Sequence, residues 1–164
     1  MAKFTTSLEK ISNPALRDLV KYWLRLTSLS IVPHRHQFNP VDIPHCLRNI
    51  ILVDVEAGTP KYFIRLAGSA INPVYHRSIT GCYLENVLSD ENRADIIAQY
   101  DHTVTYQIPT FMFGEIATSN GRSQHYERVV LPMTTDSETV DKLLVGLNFF
   151  NVKASLIDRP IFKL

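Results

Sequence analysis

The chain has 164 residues and a formal net charge of +1, and 45% of its residues are hydrophobic while 20% are charged. This length and composition are typical of a single soluble globular domain, and the near-neutral charge gives no indication of a nucleic-acid partner. No apolar run approaches the roughly 20 residues of a membrane-spanning helix, so we expect no membrane partner either.

The termini and the cysteines indicate where the protein works. The first residues contain no apolar core of a signal peptide. Two cysteines occur, Cys46 and Cys82, far apart in the sequence. Free thiols fit a reducing compartment. We therefore expect a cytoplasmic protein without a structural disulfide, and the short segment after residue 150 predicts no effector domain in the same chain.

The first predicted helix begins near Asn13, which can cap it, with Pro14 at a position that suits the first helical turn. Apolar side chains then recur at helical spacing, and a stripe that contains the only tryptophan needs a surface to pack against. That surface is either the domain's own sheet or the same helix of a second subunit, and the sequence does not choose between them. The stripe consists of Leu16, Leu19, Val20, Trp23 and Leu24.

The rest of the chain is predicted to contain short turns, five strands and a long helix. Residues 30–37 are expected to be extended, and residues 39–47, 72–77 and 83–88 are expected to form short helical pieces. The strands are rich in β-branched and aromatic residues. They are predicted at residues 50–55, 62–67, 110–117, 124–131 and 140–150.

The long helix is predicted to start after Ser89, which can cap it, and Ile97, Tyr100 and Val104 fall on one of its faces. Asn120-Gly121 predicts a hairpin turn between the third and fourth strands. Side chains alternate along this hairpin, and the sequence does not decide which set faces the helices. One set consists of Phe111, Phe113, His125 and Glu127, and the other of Met112, Gly114, Tyr126 and Arg128.

Five short motifs occur in a fixed order between residues 33 and 132. They are Pro33-His34-Arg35, Asn39-Pro40, Phe63-Ile64-Arg65-Leu66-Ala67-Gly68, Thr80-Gly81 and Leu131-Pro132. Together with the order of the predicted elements, they resemble the PAS fold. More narrowly, they resemble the small stand-alone PAS proteins of alphaproteobacteria that form the fifth PAS subfamily. The resemblance covers about Leu19 to Phe150.

The resemblance implies an α+β fold with a five-stranded antiparallel sheet and helices on one face, to which the N-terminal amphipathic helix is added. It implies three segments: an N-terminal helical extension at residues 1–28, a PAS-like domain at 29–150 and a C-terminal tail at 151–164. It also implies a small-molecule cavity between the sheet and its helices, without identifying the ligand.

Candidate cavity residues follow from the PAS arrangement. The segment from Ile71 to Leu88 would cover one face of the sheet, and its short helices make it the least stable part of the domain. A ligand can act on such a segment by ordering it. The candidates are Tyr75, His76 and Leu84 on the helical side and Phe63 and Phe111 on the sheet side.

Arg65 is a further candidate because it lies between two apolar residues, Ile64 and Leu66, in the second predicted strand. An unpaired buried guanidinium costs several kcal/mol, so Arg65 needs a partner. The partner is either an acid on another strand, Asp54 or Glu127, which we favour, or an anionic ligand.

The signals for cofactors and metals are weak. A lone histidine, His76, does not make a haem motif, and Cys82 lacks the sequence context of a flavin photosensor. The pair His34-x-His36, near His45, matches no established zinc spacing. We therefore predict no haem, flavin or metal site, and the cofactor stays unknown.

No motif demands catalysis, because the chain has no nucleophile elbow, no phosphate-binding glycine loop and no His-Glu-x-x-His sequence. The sequence therefore predicts a non-enzymatic PAS sensor, acting as a homodimer, that binds a small ligand, a signalling protein or both. One alternative is a ligand-free dimerisation module. Another is a cone-shaped enzyme like ketosteroid isomerase, for which Asp101-His102 is the only adjacent acid and histidine.

Overall fold

A computed structural model describes residues 3–117 and 122–151. The predicted turn at Asn120-Gly121 and nearly all of the predicted tail at 151–164 lie outside the described residues. No helix within these ranges is both long enough and apolar enough to span a membrane. The helices and strands are β1 (Phe4–Thr5), α1 (Pro14–Leu26), β2 (Ile50–Val55), β3 (Tyr62–Ala67), α2 (Leu84–Val87), α3 (Asp90–Tyr106), β4 (Thr110–Ala117), β5 (Ser123–Met133) and β6 (Lys142–Phe150).

The strands form one antiparallel sheet in the order β1-β4-β5-β6-β2-β3. The predicted α+β fold with an antiparallel sheet is confirmed. The sheet has a sixth strand because Phe4 and Thr5 pair with Met112 and Phe111 of β4. Two residues are too few to produce an alternating pattern, which is why the sequence did not indicate β1. In this order β3 is an edge strand and β5 is a central one.

The strand boundaries follow the sequence pattern closely. The strands β2, β3 and β4 begin and end where predicted. Strand β5 extends to Met133, and β6 begins at Lys142 rather than at Val140. The prediction that residues 30–37 are extended is wrong at its end, where residues 35–37 form a 3₁₀ turn. The Gln37 side chain closes that turn by accepting a hydrogen bond of 2.8 Å from the His34 N–H.

One face of the sheet packs against α2, α3 and the segment between β3 and α3. The buried face of α3 is rotated relative to the predicted one, and Ile97 and Val104 are only partly buried. Hydrophobicity misplaced this face because half of its buried side chains are polar. Those that α3 buries are Ile96, Gln99, Tyr100 and Thr103.

The opposite face of the sheet is covered by α1 and by the 3₁₀ turns between residues 40 and 49. The Trp23 indole N–H donates a hydrogen bond of 2.9 Å to the carbonyl of Pro132, at the end of β5. The apolar stripe of α1 therefore packs on the chain's own sheet. Its buried members from the predicted set are Leu16, Leu19, Val20 and Trp23.

One member of the predicted stripe is wrong. Leu24 is 49% exposed, whereas Tyr22, which was not in the stripe, is buried. The Tyr22 hydroxyl accepts a hydrogen bond from the Asn39 N–H at 2.9 Å. The buried face of α1 therefore contacts the 3₁₀ segment as well as the sheet. A stripe chosen for packing against one flat surface does not include a residue that faces a second surface.

The start of α1 is fixed from two sides. The Asn13 side chain caps the first turn, as predicted. Glu127 of β5 accepts hydrogen bonds from the N–H groups of Ser12 and Asn13, at 3.1 and 2.9 Å. A carboxylate is stabilised at the positive end of a helix. Glu127 is therefore engaged with α1 and does not pair with Arg65.

Candidate functional site

A cavity of about 170 Å³ lies between the sheet and the layer formed by α2, α3 and the 3₁₀ turn Asn72–Tyr75. Its wall is mostly aromatic and apolar, with a few polar groups, which is the composition expected of a pocket for a small organic molecule. The sheet contributes Tyr126, Arg128 and Phe149, and the helical layer contributes Tyr75, Val87 and Ile96.

Aromatic rings form one side of this cavity. The ring centroids of Tyr126 and Phe149 are 6.0 Å apart, and those of Phe149 and Tyr75 are 6.4 Å apart. Gly114 of β4 makes room for this arrangement, because a side chain at that position would overlap the ring and hydroxyl of Tyr126. The alternating set that contains Tyr126 and Arg128 is therefore the one that faces the helices and the cavity.

Arg128 is the charged residue of the cavity wall, and it is only 4% exposed. Its Nη1 donates to the Gln99 side-chain oxygen at 3.3 Å and lies 3.8 Å from the sulfur of Met112. The guanidinium carbon lies 4.6 Å from the centroid of the Tyr126 ring. Within the described residues, no carboxylate lies within ion-pair distance of Arg128.

The charge of Arg128 acts on nearby tyrosines. Burial raises the pKa of the Tyr75 hydroxyl, and the positive charge of Arg128 opposes that effect. Burial also raises the pKa of Tyr100, again against the influence of Arg128. Both phenols therefore stay protonated at neutral pH and keep a donor hydrogen. The cavity wall thus has one fixed positive charge, Arg128, on the sheet side and a neutral phenol, Tyr75, on the helical side.

In the sequence, Arg128 is one member of an alternating set, and nothing in the pattern indicates its position in the cavity wall. Arg65 lies between two apolar residues, whereas Arg128 follows Glu127 and has apolar neighbours only at residues 129–131, so the signal that singled out Arg65 is present on one side of Arg128 alone. What the pattern lacks is the position of each strand in the sheet. That position decides whether the arginine is buried.

The predicted residues on the helical side have three different environments. Tyr75 lines the cavity. Leu84 is buried in the core between α2 and the sheet but is not in the cavity wall. His76 is exposed, with its backbone in the left-handed region at φ 54°. The prediction of His76 as a lining residue is therefore wrong, because the 3₁₀ turn ends there and the chain leaves the cavity.

The two predicted residues on the sheet side are both outside the cavity. Phe111 is buried on the opposite face, in the cluster under α1. Phe63 is partly buried on the edge strand β3, where its ring centroid lies 5.3 Å from that of Tyr83. Its neighbours Tyr62 and Ile64 point into the core instead. These two predictions are wrong because neighbouring residues on a strand face opposite sides of the sheet.

Arg65 pairs with Asp54, as favoured, but the prediction that Arg65 is buried is wrong, because its side chain is 64% exposed. Asp54 is largely buried and also binds Lys142 at 2.9 Å. Burial alone would raise the pKa of Asp54, but the hydrogen bonds from Lys142 and Arg65 outweigh it and hold that pKa below its usual value. Arg65 is absent from the cavity wall, so it does not anchor a ligand there.

Of the histidines considered as metal ligands, His34 and His36 are neighbours, with ring centroids 5.2 Å apart, and His45 lies beside a residue of α1. His34 shares a hydrogen bond of 2.7 Å with Ser137, and His45 lies 2.9 Å from Asp18. Cys46 and Cys82 are both free thiols, as expected. Among residues 3–117 and 122–151, no three His, Cys, Asp or Glu side chains are grouped in a way that could hold a metal ion.

The adjacent pair Asp101-His102 does not form a site inside a cone. Asp101 binds Lys61 at 3.4 Å, and the His102 ring contacts Phe4 and Tyr106, with centroids 4.9 and 4.4 Å away. Neither residue lines the cavity. The pair on which the alternative of a cone-shaped enzyme depends therefore lies outside the cavity.

Comparisons with known proteins show the family and the structures that share this fold. A family model described as a PAS domain matches residues 11–148. The chain is similar to the PAS domain of Bordetella pertussis BvgS, with 18% identity, a TM-score of 0.54 and coverage of 75% of this chain and 91% of the other. A comparison with curated proteins finds no match.

Two light-oxygen-voltage domains also share the fold. One, solved with a flavin analogue, has 10% identity, a TM-score of 0.53 and coverage of 71% of this chain and 85% of that one. The other, from the blue-light photoreceptor Aureochrome1, has 13% identity, a TM-score of 0.50 and coverage of 70% and 89%. Identities this low show the fold alone.

Proposed function

Because this chain belongs to the PAS domain family, we propose that it is a sensory domain that binds a small ligand in the cavity between its sheet and its helices. The ligand changes the surface that the domain presents to a signalling protein, and no catalytic step is required. The observation that carries the proposal is the cavity of about 170 Å³, with aromatic and apolar walls and a single buried charge, Arg128.

The segment of residues 71–88 provides a route from the cavity to the surface. Tyr75 and Val87 line the cavity, while His76 and Arg77 in the same segment are exposed. A ligand that holds Tyr75 and Val87 in place also restricts the exposed residues between them. Ordering of this kind changes the population of surfaces available to a partner.

The PAS subfamily and the cellular location that the sequence suggests are also part of this proposal. The order of the five short motifs supports a stand-alone signalling protein of an alphaproteobacterium. The free thiols of Cys46 and Cys82 support a cytoplasmic location, because such compartments keep cysteines reduced.

A second candidate function is a ligand-free dimerisation module. It is favoured by the apolar side chains exposed at and after the end of α1, where Leu29 is 82% and Ile31 is 83% exposed and Leu24 is also half exposed. Exposed apolar groups close together in sequence favour contact with another protein. This surface is separate from the buried stripe of α1, which packs on the sheet.

Native mass spectrometry of protein purified from its own host tests both candidates in one measurement. A sensor with a resident ligand should show a non-covalent extra mass that disappears under denaturing conditions, and Val87→Phe, which fills the cavity, should remove it. A dimer without extra mass in the wild type would contradict the sensor proposal and favour the dimerisation module.

A further inference from the structure

We propose that Arg128 is the carboxylate-binding residue of the cavity and that the ligand is a small organic carboxylate with an apolar body. This inference rests on the proposed function, since it names the chemical class of the ligand in the same cavity. It follows from three features of the site: an unbalanced buried charge, a free hydrogen-bonding edge on that charge, and a small apolar space beside it.

The charge balance of the interior sets Arg128 apart. Within the described residues three charged side chains are buried, namely Asp54, Glu127 and Arg128. Asp54 is paired with Lys142 and Arg65. Glu127 accepts hydrogen bonds from backbone N–H groups at the start of α1. Arg128 has neither kind of compensation, although an uncompensated buried charge is strongly destabilising.

The partners that Arg128 does have are weak. The bond to the Gln99 oxygen is long at 3.3 Å, and a thioether sulfur such as that of Met112 is a poor acceptor. The contact with the Tyr126 ring is favourable but smaller than an ion pair. These contacts hold the guanidinium in position without neutralising it, which is how a binding group is prepared for an anion.

The free edge of the guanidinium has the shape of a carboxylate site. Both hydrogen bonds that the Arg128 side chain donates within the described part of the chain start from Nη1. The Nε and Nη2 donors are left, and together they form the side fork that binds a carboxylate through two parallel hydrogen bonds. The neutral hydroxyl of Tyr75, in the opposite wall of the cavity, is a further donor.

The remaining space limits the body of the ligand. Water takes up roughly 30 Å³ per molecule in the liquid, so about 170 Å³ holds a molecule with on the order of six heavy atoms. Val87, Ile96 and Phe149 give this space an apolar wall. An inorganic anion would leave that wall without a partner, whereas a short aliphatic carboxylate fills it and places its charged end at Arg128.

Butyrate is the probe for the test, with butyramide as an uncharged analogue of nearly the same shape. Binding is measured by titration of the ¹⁵N-labelled protein, with amide shifts of Tyr75 and Ile96 as the readout. We expect butyrate to bind the wild type at least about tenfold more tightly than butyramide, because a charge-assisted bidentate contact is lost in the amide. Acetate should bind more weakly than butyrate because it leaves the apolar wall empty.

Two variants assign the effect to Arg128. Arg128→Met should stay folded, since an apolar side chain of similar length replaces an uncompensated charge. It should lose at least about tenfold in butyrate affinity and keep the affinity for butyramide. Arg65→Met is the matched control, because it removes an exposed arginine outside the cavity, and it should leave butyrate binding unchanged.

The outcomes separate this inference from the proposed function. Equal binding of butyrate and butyramide to the wild type, or full butyrate affinity in Arg128→Met, would overturn the carboxylate site while leaving a cavity that binds ligands. If native mass spectrometry shows a bound neutral molecule and butyrate does not shift Tyr75 or Ile96, the carboxylate inference fails and the sensor stands. If neither measurement finds a ligand, both proposals fail.

Discussion

At the scale of single residues, two arginines in apolar strands have opposite environments. The Arg65 side chain is mostly exposed and pairs with Asp54. Arg128 is buried and meets no carboxylate among the described residues. A guanidinium in water keeps its hydration and gains little from an ion pair, whereas a buried one loses that hydration. Only Arg128 therefore needs an anion that the described residues do not supply.

Asp54 allows a test of how much each of its two cations, Arg65 and Lys142, contributes to stability. We expect Arg65→Ala to lower the free energy of unfolding by no more than about 1 kcal/mol, because the pair is largely exposed and Lys142 still binds Asp54. Lys142→Ala should be similarly mild. The double variant should lose clearly more than the sum of the two, since Asp54 then stays buried without a cation.

Urea unfolding of the wild type, both single variants and the double variant measures this cycle. Strictly additive losses would contradict the shared pairing. A loss of about 3 kcal/mol from Arg65→Ala alone would mean that this pair behaves as a buried one, against the exposure of the Arg65 side chain.

At the scale of elements, the strands could be predicted from the sequence and the faces of the helices only in part. β2, β3 and β4 are short runs of β-branched and aromatic residues with turns on either side, and they form where predicted. The buried face of α3 includes Gln99, which hydrogen bonds to Arg128, so polarity did not reveal its burial. β1 is too short for any pattern. It forms because one edge of β4 is not occupied by β5 and can pair with it.

Helix α1 allows a direct test of which leucines its stripe contains. Leu19→Ala should lower the free energy of unfolding by about 2–5 kcal/mol, the usual range for a buried leucine that leaves a cavity. Leu24→Ala is the matched control, and its effect should be within about 0.5 kcal/mol because the side chain is half exposed. Chemical unfolding measures both, and equal losses would show that the stripe packs differently from the arrangement described here.

At the scale of the whole molecule, the sheet has a helix on each face, and the aromatic cavity that contains Arg128 lies on the α3 side. α1 fills its side with Leu19, Trp23 and Phe111, which leaves a packed cluster. On the other side, α3 and the segment 71–88 cover the sheet, and the cavity lies between this layer and the sheet. The function we propose thus depends on the side of the sheet that α3 and residues 71–88 cover.

Amide hydrogen exchange tests that asymmetry. Residues 71–88 should exchange faster than β3 and β6, because most of their hydrogen bonds close single turns, such as Val74 N–H to Ile71 C=O at 3.1 Å. Two backbone hydrogen bonds to β3 provide an internal control. The Ile64 carbonyl accepts from the Gly81 N–H at 2.8 Å, and the Ile64 N–H donates to the Cys82 carbonyl at 2.9 Å. The Gly81 amide, which donates to Ile64, should therefore exchange more slowly than its neighbours in the segment.

A bound ligand should slow exchange selectively in residues 71–88 and leave β6 unchanged, since ordering by a ligand affects the segment that covers it. Uniformly strong protection of residues 71–88 in the free protein would argue against a gated cavity. It would leave the dimerisation module as the better account of the domain.

The sequence by itself determined the elements and their order, because a period of two or 3.6 residues and the turn residues between apolar runs are local properties. From that order and the short motifs came the family resemblance and the expectation of a cavity. Tyr75 was found in this way, since it lies in the segment that covers the sheet.

Only the tertiary structure decided which arginine is buried. β3 and β5 both carry an arginine next to apolar residues, but β3 is an edge strand, whereas β5 is central and covered on both faces. Burial of a charge depends on what lies across the sheet from it, and that neighbour is distant in sequence.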